Sequence, residues 1–417
     1  MVVKNKKIFW ILNCLIFLLI LLLLYFVVLK STQKHTDNPF SSLSKAEKDG
    51  KQLSNGQCQG KEKRKLGTLP MRMEDFVFIL PYGLMVGDHV TPIDHQYFSP
   101  TVFNSPRDTY EVRAMADSII VELQPRVKPE YTEYRFVFSI SCTLFYYYDL
   151  VTSLAPDVRK AYEEARSGSF KKPINFPVKA GQLVGRIGGQ TLDFAVWDMD
   201  INLESFIVPE HYIGERWKIH TADPLNYYTD DLKNKVLSKY IRTADPISGK
   251  IDYDIDGKAV GNWFKEGTGG YNGGGVGLDY HKTHLSLSYN YLDPNGIVFS
   301  IGEYPGTVSW TIGNKKGSNL PLQFGVKGNA PDPKDIAISS GLVKYELVQQ
   351  NMINTKTGEF WDYKSFVRGL NIKNSDRVEG VALVQMIDKR KLKVEIFPGK
   401  TASQIEGFDS QATIYER

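Results

Sequence analysis

Within GDHVTPIDHQYF at 87–98 stand His89, Asp94 and His95, two imidazoles and a carboxylate inside seven positions. These are ordinary donors to a first-row metal ion, and a catalytic zinc takes three such ligands while a fourth position holds water. Polar loops between strands also collect His and Asp for turn formation, so the cluster suggests metal chemistry without fixing it. A second concentration is GTGGYNGGGVGLDYHKTHLSLSY at 267–289. Glycine-rich backbone can cradle phosphate, but no helical period follows and no Gly-Lys-Ser/Thr is present, which argues against a P-loop and for a mobile hairpin tip. His281 and His284 are three apart in an alternating pattern, so a strand would send them to opposite faces and they would not chelate as a pair. Trp197, Trp217, Trp263 and Trp310 are the residue type with which extracytoplasmic domains stack sugars, although in a β-rich chain their first use is core packing.

The elements that must carry these residues are strands. DFVFILPYG from Asp75 is a compact apolar run stopped by proline and glycine, and runs at 109–124, 133–151, 181–189 and 192–200 repeat the pattern. APDVRKAYEEARSGS at 155–169 reads as a short helix, and 230–242 as an amphipathic helix linking two β units. Beyond Ala244 strand patterns recur at roughly 8 to 12 residue intervals, among them GKIDYDIDG, TVSWTIGN and KLKVEIFPG, which predicts an antiparallel barrel or sandwich.

The order of elements across residues 76–205 resembles the lysostaphin-type (LytM-like) zinc endopeptidase domain, a small duplicated-hybrid-motif β structure that cuts peptide cross-links in bacterial cell walls. Val112-Arg113-Ala114-Met115-Ala116-Asp117 matches one element of its pattern, with Ser118 where glycine is usual, and Val178 to Gly188 matches its V-x-x-G-x-x-(I/V)-G-x-x-G turn. The departures fall on the chemistry. Thr191 and Asp193 occupy the two histidine positions of the His-x-His strand, Asp149 follows three tyrosines where a histidine is expected, and four residues rather than three separate His89 from Asp94. The resemblance therefore implies the scaffold with a degenerate metal site. His89, Asp94, His95 and Asp193 are the residues left to hold zinc or a harder divalent metal, and no cofactor is the first expectation. The protein then reads as a non-catalytic binding or scaffolding module, with a metal-dependent hydrolase of atypical ligand set as the alternative.

Ile8 to Leu29 is 22 residues without a charge, about 33 Å as a helix against a hydrocarbon core of roughly 30 Å. It is too long for a signal-peptide core and lacks small residues at its end, so a single-pass signal anchor is predicted. Lys4, Lys6 and Lys7 precede it and Lys30 and Lys34 follow it; the expected orientation has the N-terminus in the cytoplasm and the globular mass outside it, in the cell envelope, with the reverse orientation as the alternative. The expected organisation is a tail at 1–7, the anchor at 8–29, a polar tether at 30–71, a lysostaphin-like domain at 72–222, a helical linker at 223–243 and a second β domain at 244–417. Partners would be the bilayer and an envelope peptide, glycan or protein. With 51 basic against 47 acidic residues and a net charge of +4, no nucleic-acid surface is implied. Three scattered cysteines make no disulfide framework, so Cys142 is expected as a small buried hydrophobe and Cys58 as part of the tether, with a Cys58–Cys142 bond as the alternative if the domain lies outside the cytosol.

Overall fold

Alternation of side chains along strands decides the architecture. In LFYYYDLV, Leu144, Tyr146 and Tyr148 enter a continuous apolar core, while Phe145, Tyr147 and Asp149 take the other face, as a period of two requires. In LDFAVWD, Leu192, Phe194 and Val196 are the core set and Asp193, Ala195 and Trp197 oppose them. The computed structural model describes residues 43–167, 172–310 and 317–417. The predicted anchor at 8–29 and the start of the tether lie outside the described residues, and among those residues no helix is long and apolar enough to cross a membrane.

The chain is mainly β with antiparallel pairing throughout its sheets. Its first part contains β1 (Phe76–Leu80), β2 (Gln96–Pro100), β3 (Tyr110–Arg113), β4 (Ser118–Val127), β5 (Thr132–Ser139), β6 (Leu144–Val151), β7 (Ser153–Leu154), β8 (Phe176–Val178), β9 (Leu183–Ile187), β10 (Leu192–Asp198) and β11 (Thr221–Ala222). One sheet runs β1-β2-β10-β6-β5-β4-β8, with β11 on β10, and a smaller one runs β3-β9-β7. Helix α1 is Lys45–Leu53, α2 is Pro156–Arg166 and α3 is Asp230–Leu237. The second part is a closed barrel, which leaves no sheet edge unpaired: β12 (Gly261–Lys265), β13 (His284–Tyr289), β14 (Ile297–Tyr304), β15 (Leu320–Val326), β16 (Val343–Asn354), β17 (Leu370–Asp388), β18 (Lys391–Pro398) and β19 (Thr413–Glu416). Leu285, Leu287, Phe299, Phe324, Tyr345 and Val384 fill its interior.

Strands β16 and β17 continue past the barrel as an arm, paired from Gln350↔Asn374 to Asn354↔Leu370. Met352, Trp361 and Leu370 of the arm pack with Phe78, Ile241, Tyr291 and Leu292, so the arm joins the barrel to the first sheet.

Several expectations are corrected. Residues 43–71 are not all tether, because α1 lies there, Leu66 is fully buried, and Lys63 of the basic run pairs with Asp198 at 2.6 Å. Cys142 is not a free thiol but is bonded to Cys58 across a sequence separation of 84. The segment GKIDYDIDG forms no strand. Its central acid serves an anchor instead: Asp254 is buried and accepts from the Arg417 guanidinium at 3.2 Å, which lies 4.0 Å over the Trp263 ring, while Asp252 and Asp256 pair with Lys250 and Arg390. Residues 307–310 of TVSWTIGN are likewise outside any strand, and the helix expected to reach Arg242 stops at Leu237, after which Tyr240 bridges Ile79.

Candidate functional site

Three adjacent strands bring the candidate residues together. Asp193 on β10 pairs in register with Tyr97 on β2 and with Asp149 on β6, so all three point from the non-core face of the sheet. His95, on the loop leading into β2, leans over them: its Nε2 is 3.1 Å from the Tyr97 hydroxyl and 3.4 Å from Asp193 Oδ2, and its Nδ1 is 3.6 Å from Asp94 Oδ1. The His89 ring stands edge-on to that of His95 at 5.9 Å and is exposed at the rim. The sequence therefore found residues that the fold does assemble.

The residue it missed is Lys218. The 3-10 segment Pro209–His220 crosses the same face of the sheet and sets the Lys218 ammonium 2.9 Å from Asp94 Oδ1 and 3.2 Å from Glu215, while the Trp217 indole donates to Asp94 Oδ2 at 3.0 Å. The Lys218 ammonium also lies 4.7 Å over the Tyr271 ring, a cation–π contact. Tyr271 belongs to the glycine-rich segment. That segment is not a free hairpin tip: Gly270 has φ +94, and a Cβ there would lie 2.6 Å from His211, so glycine permits the close approach that seats Tyr271. His284 holds the same loop through the Tyr271 carbonyl at 2.8 Å, and His281 reaches Asp88 at 3.8 Å. Nothing local in GERWKIH marks Lys218, because Asp94 is far away in sequence.

Beside this, Trp197 stacks on Tyr147 with centroids 5.0 Å apart and lies 5.4 Å from Trp217. The Arg135 guanidinium covers the Tyr147 and Trp217 rings at 5.2 and 4.8 Å. Trp197 is fully buried on this second face and Trp217 is half-buried beside it.

Electrostatics follow from this packing. Burial pushes the Asp94 carboxyl up, but the Lys218 ammonium and then His95 hold it well below the usual carboxylate range. Burial pulls the Lys218 ammonium down, but Asp94 wins and keeps it firmly charged. For Asp193 burial dominates, with Asp149 adding and His95 opposing, and its carboxyl is pushed up to about 7. Its Oδ1 is buried with no hydrogen-bond partner among the described residues. His89 keeps solvent contact at the rim, so the lowering of its proton affinity by crowding protein atoms, then by His95 and Lys218, is the weakest of these effects.

A metal does not fit this arrangement. Among the described residues no three of His, Cys, Asp and Glu are grouped to hold an ion, and Asp94 already spends both oxygens on an ammonium and an indole. A dication placed between His89, Asp94, His95 and Asp193 would meet the Lys218 charge beside it, a repulsion that low local dielectric enlarges. The enclosed face also has little room for a substrate, since Tyr147, Asp149, Asp193, Trp197 and Lys218 are all buried.

The chain matches no family model and no curated protein. Solved structures similar to it include the following two. One is Helicobacter pylori Csd3 in an orthorhombic crystal, 17% identical with a TM-score of 0.24, where the match covers 44% of this chain and 42% of that chain, less than half its length. The other is lysostaphin in solution by NMR, 12% identical over 75% of this chain and 100% of that one, again with a TM-score of 0.24. At such scores the likeness carries no argument about the site.

Proposed function

We propose that this protein is a membrane-anchored, extracytoplasmic module of peptidase-like build that binds or scaffolds at the cell envelope and does not hydrolyse. The observation that supports this best is Lys218 on Asp94. An ammonium supplies the counter-charge that a metal ion would bring to a peptidase site, yet it has no open coordination position for water and no Lewis acidity to polarise a carbonyl. The Cys58–Cys142 bond supports an oxidising, non-cytosolic location, in agreement with the apolar run at 8–29 and the lysines before it. The bilayer and an envelope peptide, glycan or protein remain the partners proposed.

One observation favours the alternative, a metal-dependent hydrolase using His89, Asp94, His95 and Asp193. Among the described residues the buried Oδ1 of Asp193 has no hydrogen-bond partner within 3.5 Å, which leaves it able to serve as a metal donor. Elemental analysis separates the two readings: full-length protein is purified without chelators and offered zinc, manganese or calcium in turn. The binding-module reading expects no stoichiometric retention. Retention near one ion per chain that disappears in both His89→Ala and Asp193→Ala would overturn the metal-free reading and favour the hydrolase.

A further inference from the structure

A cleft of about 380 Å³ lies where the loop Gly83–Val86 meets the barrel and its arm, within the size range of small-ligand sites. It shares no residue with the Asp94–Lys218 face. Every described residue lining it is uncharged, and the side chains among them are aromatic, aliphatic, thioether or amide. A cleft whose described lining carries no charge offers an ionic ligand no counter-charge.

The amides divide into two sets. Gln323 is committed to the protein, exchanging hydrogen bonds with the backbone of Gly87 at 3.0 and 3.1 Å, and Gln350 accepts from Asn290 at 2.8 Å. These fix the walls. Gln349 and Asn351 also line the cleft, are half-buried, and their side chains make no hydrogen bond among the described residues. Strand β16 is irregular on both sides of Val348, where the register with β17 shifts, and such bulges re-aim side chains toward sites. Each free amide presents one acceptor and a two-hydrogen donor, the pairing that a sugar hydroxyl, itself donor and acceptor, satisfies in both directions.

Apolar contact comes from Trp310 and Tyr363. Trp310 is half-buried and meets Phe324 edge-on with centroids 5.7 Å apart, so the ring is braced by the barrel core. Tyr363 sits on the arm, 52% exposed and 4.6 Å from the Trp361 ring. Rigid rings present a large apolar face at little entropic cost, suited to the C–H faces of a pyranose.

We infer that this cleft binds a neutral saccharide of one or two residues, with Gln349 and Asn351 reading hydroxyl or acetamido groups and Trp310 and Tyr363 contacting the sugar ring. The site is independent of the reading proposed for the Asp94–Lys218 face, and either can fail without the other.

The test is saturation-transfer NMR with full-length protein in a detergent lacking a sugar headgroup. The probes are N-acetylglucosamine di- and trisaccharide and cellobiose, with a uronic-acid-containing hyaluronan tetrasaccharide as charged control. Expected is transfer to the ring protons of at least one neutral sugar and none to the charged one. Affinity should fall about fivefold in Gln349→Ala and in Asn351→Ala, the size of one lost hydrogen bond, and be lost in Trp310→Ala. Because Trp310 braces the core, the two amide variants, which are half-buried and make no internal bond, decide the matter if Trp310→Ala does not fold. Absence of transfer to all three neutral probes, equal transfer to the charged control, or affinity unchanged in both amide variants overturns the inference.

Discussion

A lysine at position 218 carries its charge into a site from which solvent is largely removed, and Asp94, Glu215 and the Tyr271 ring offset that cost. Removing one partner of such a buried pair leaves an uncompensated charge, worth about 3–5 kcal/mol. Lys218→Met should therefore destabilise the protein by about that much in denaturant unfolding. The double variant Lys218→Met, Asp94→Leu should regain a large part of it, and a loss as small as that of a surface substitution would show that the pair does not hold the face. Asp193 gives a second prediction. Its folded-state carboxyl titrates at about 7, against about 3.9 in an unfolded chain. The folded state thus holds the proton more tightly, so this group's contribution to stability is full below about pH 4, falls as pH rises toward 7 and is flat above. Asp193→Asn should melt several degrees above wild type at pH 8, with the difference vanishing near pH 4. Melting temperatures at pH 4, 6 and 8 check this, and a constant difference across the series would contradict it. At this scale the sequence shows His89, Asp94 and His95 by their spacing, and the family resemblance adds Asp193. It shows nothing of Lys218, because an ion pair between positions 94 and 218 leaves no local pattern.

Secondary elements were legible where packing enforces a period. The strands around Tyr146 and Trp197 and the helix at 156–166 follow apolar repeats that the core uses directly. GKIDYDIDG alternates equally well, yet its Asp254 is used for an internal anchor on Arg417, so a period of two is consistent with a strand without requiring one. The segment before residue 72 misled for a different reason. Its order comes from a covalent bond and from contacts with distant residues, the Cys58–Cys142 disulfide and the Lys63–Asp198 pair, and hydropathy records neither. In the chain-entropy account a cross-link over a separation of 84 residues restricts the unfolded chain by about 4–5 kcal/mol. The double variant Cys58→Ala, Cys142→Ala should lose most of that stability in non-reducing urea titration while the wild type loses it only when reductant is added. Insensitivity of the wild type to reductant would mean the bond is not formed.

At the scale of the molecule, the closed barrel and the first sheet are joined through the β16–β17 arm, whose Trp361 lies 5.7 Å from Phe78 and is 5% exposed. Truncating a buried aromatic of this kind costs about 3–5 kcal/mol. Because this small core joins the barrel to the first sheet, Trp361→Ala should separate one calorimetric transition into two. A single transition shifted downward would instead place Trp361 within one cooperative unit. The sequence announced many antiparallel strands after Ala244 but could not choose barrel from sandwich, since closure depends on β12 meeting β19 through only two register pairs, Phe264↔Glu416 and Lys265↔Tyr415. The reading of an envelope module with a lysine in place of a metal rests on the Asp94–Lys218 face, and a crystal of the protein soaked in zinc tests it most directly. The account predicts the Lys218 ammonium still on Asp94 and no anomalous zinc peak within reach of His89, His95 or Asp193. A peak bound by two or more of these residues, with Lys218 displaced from Asp94, would contradict it.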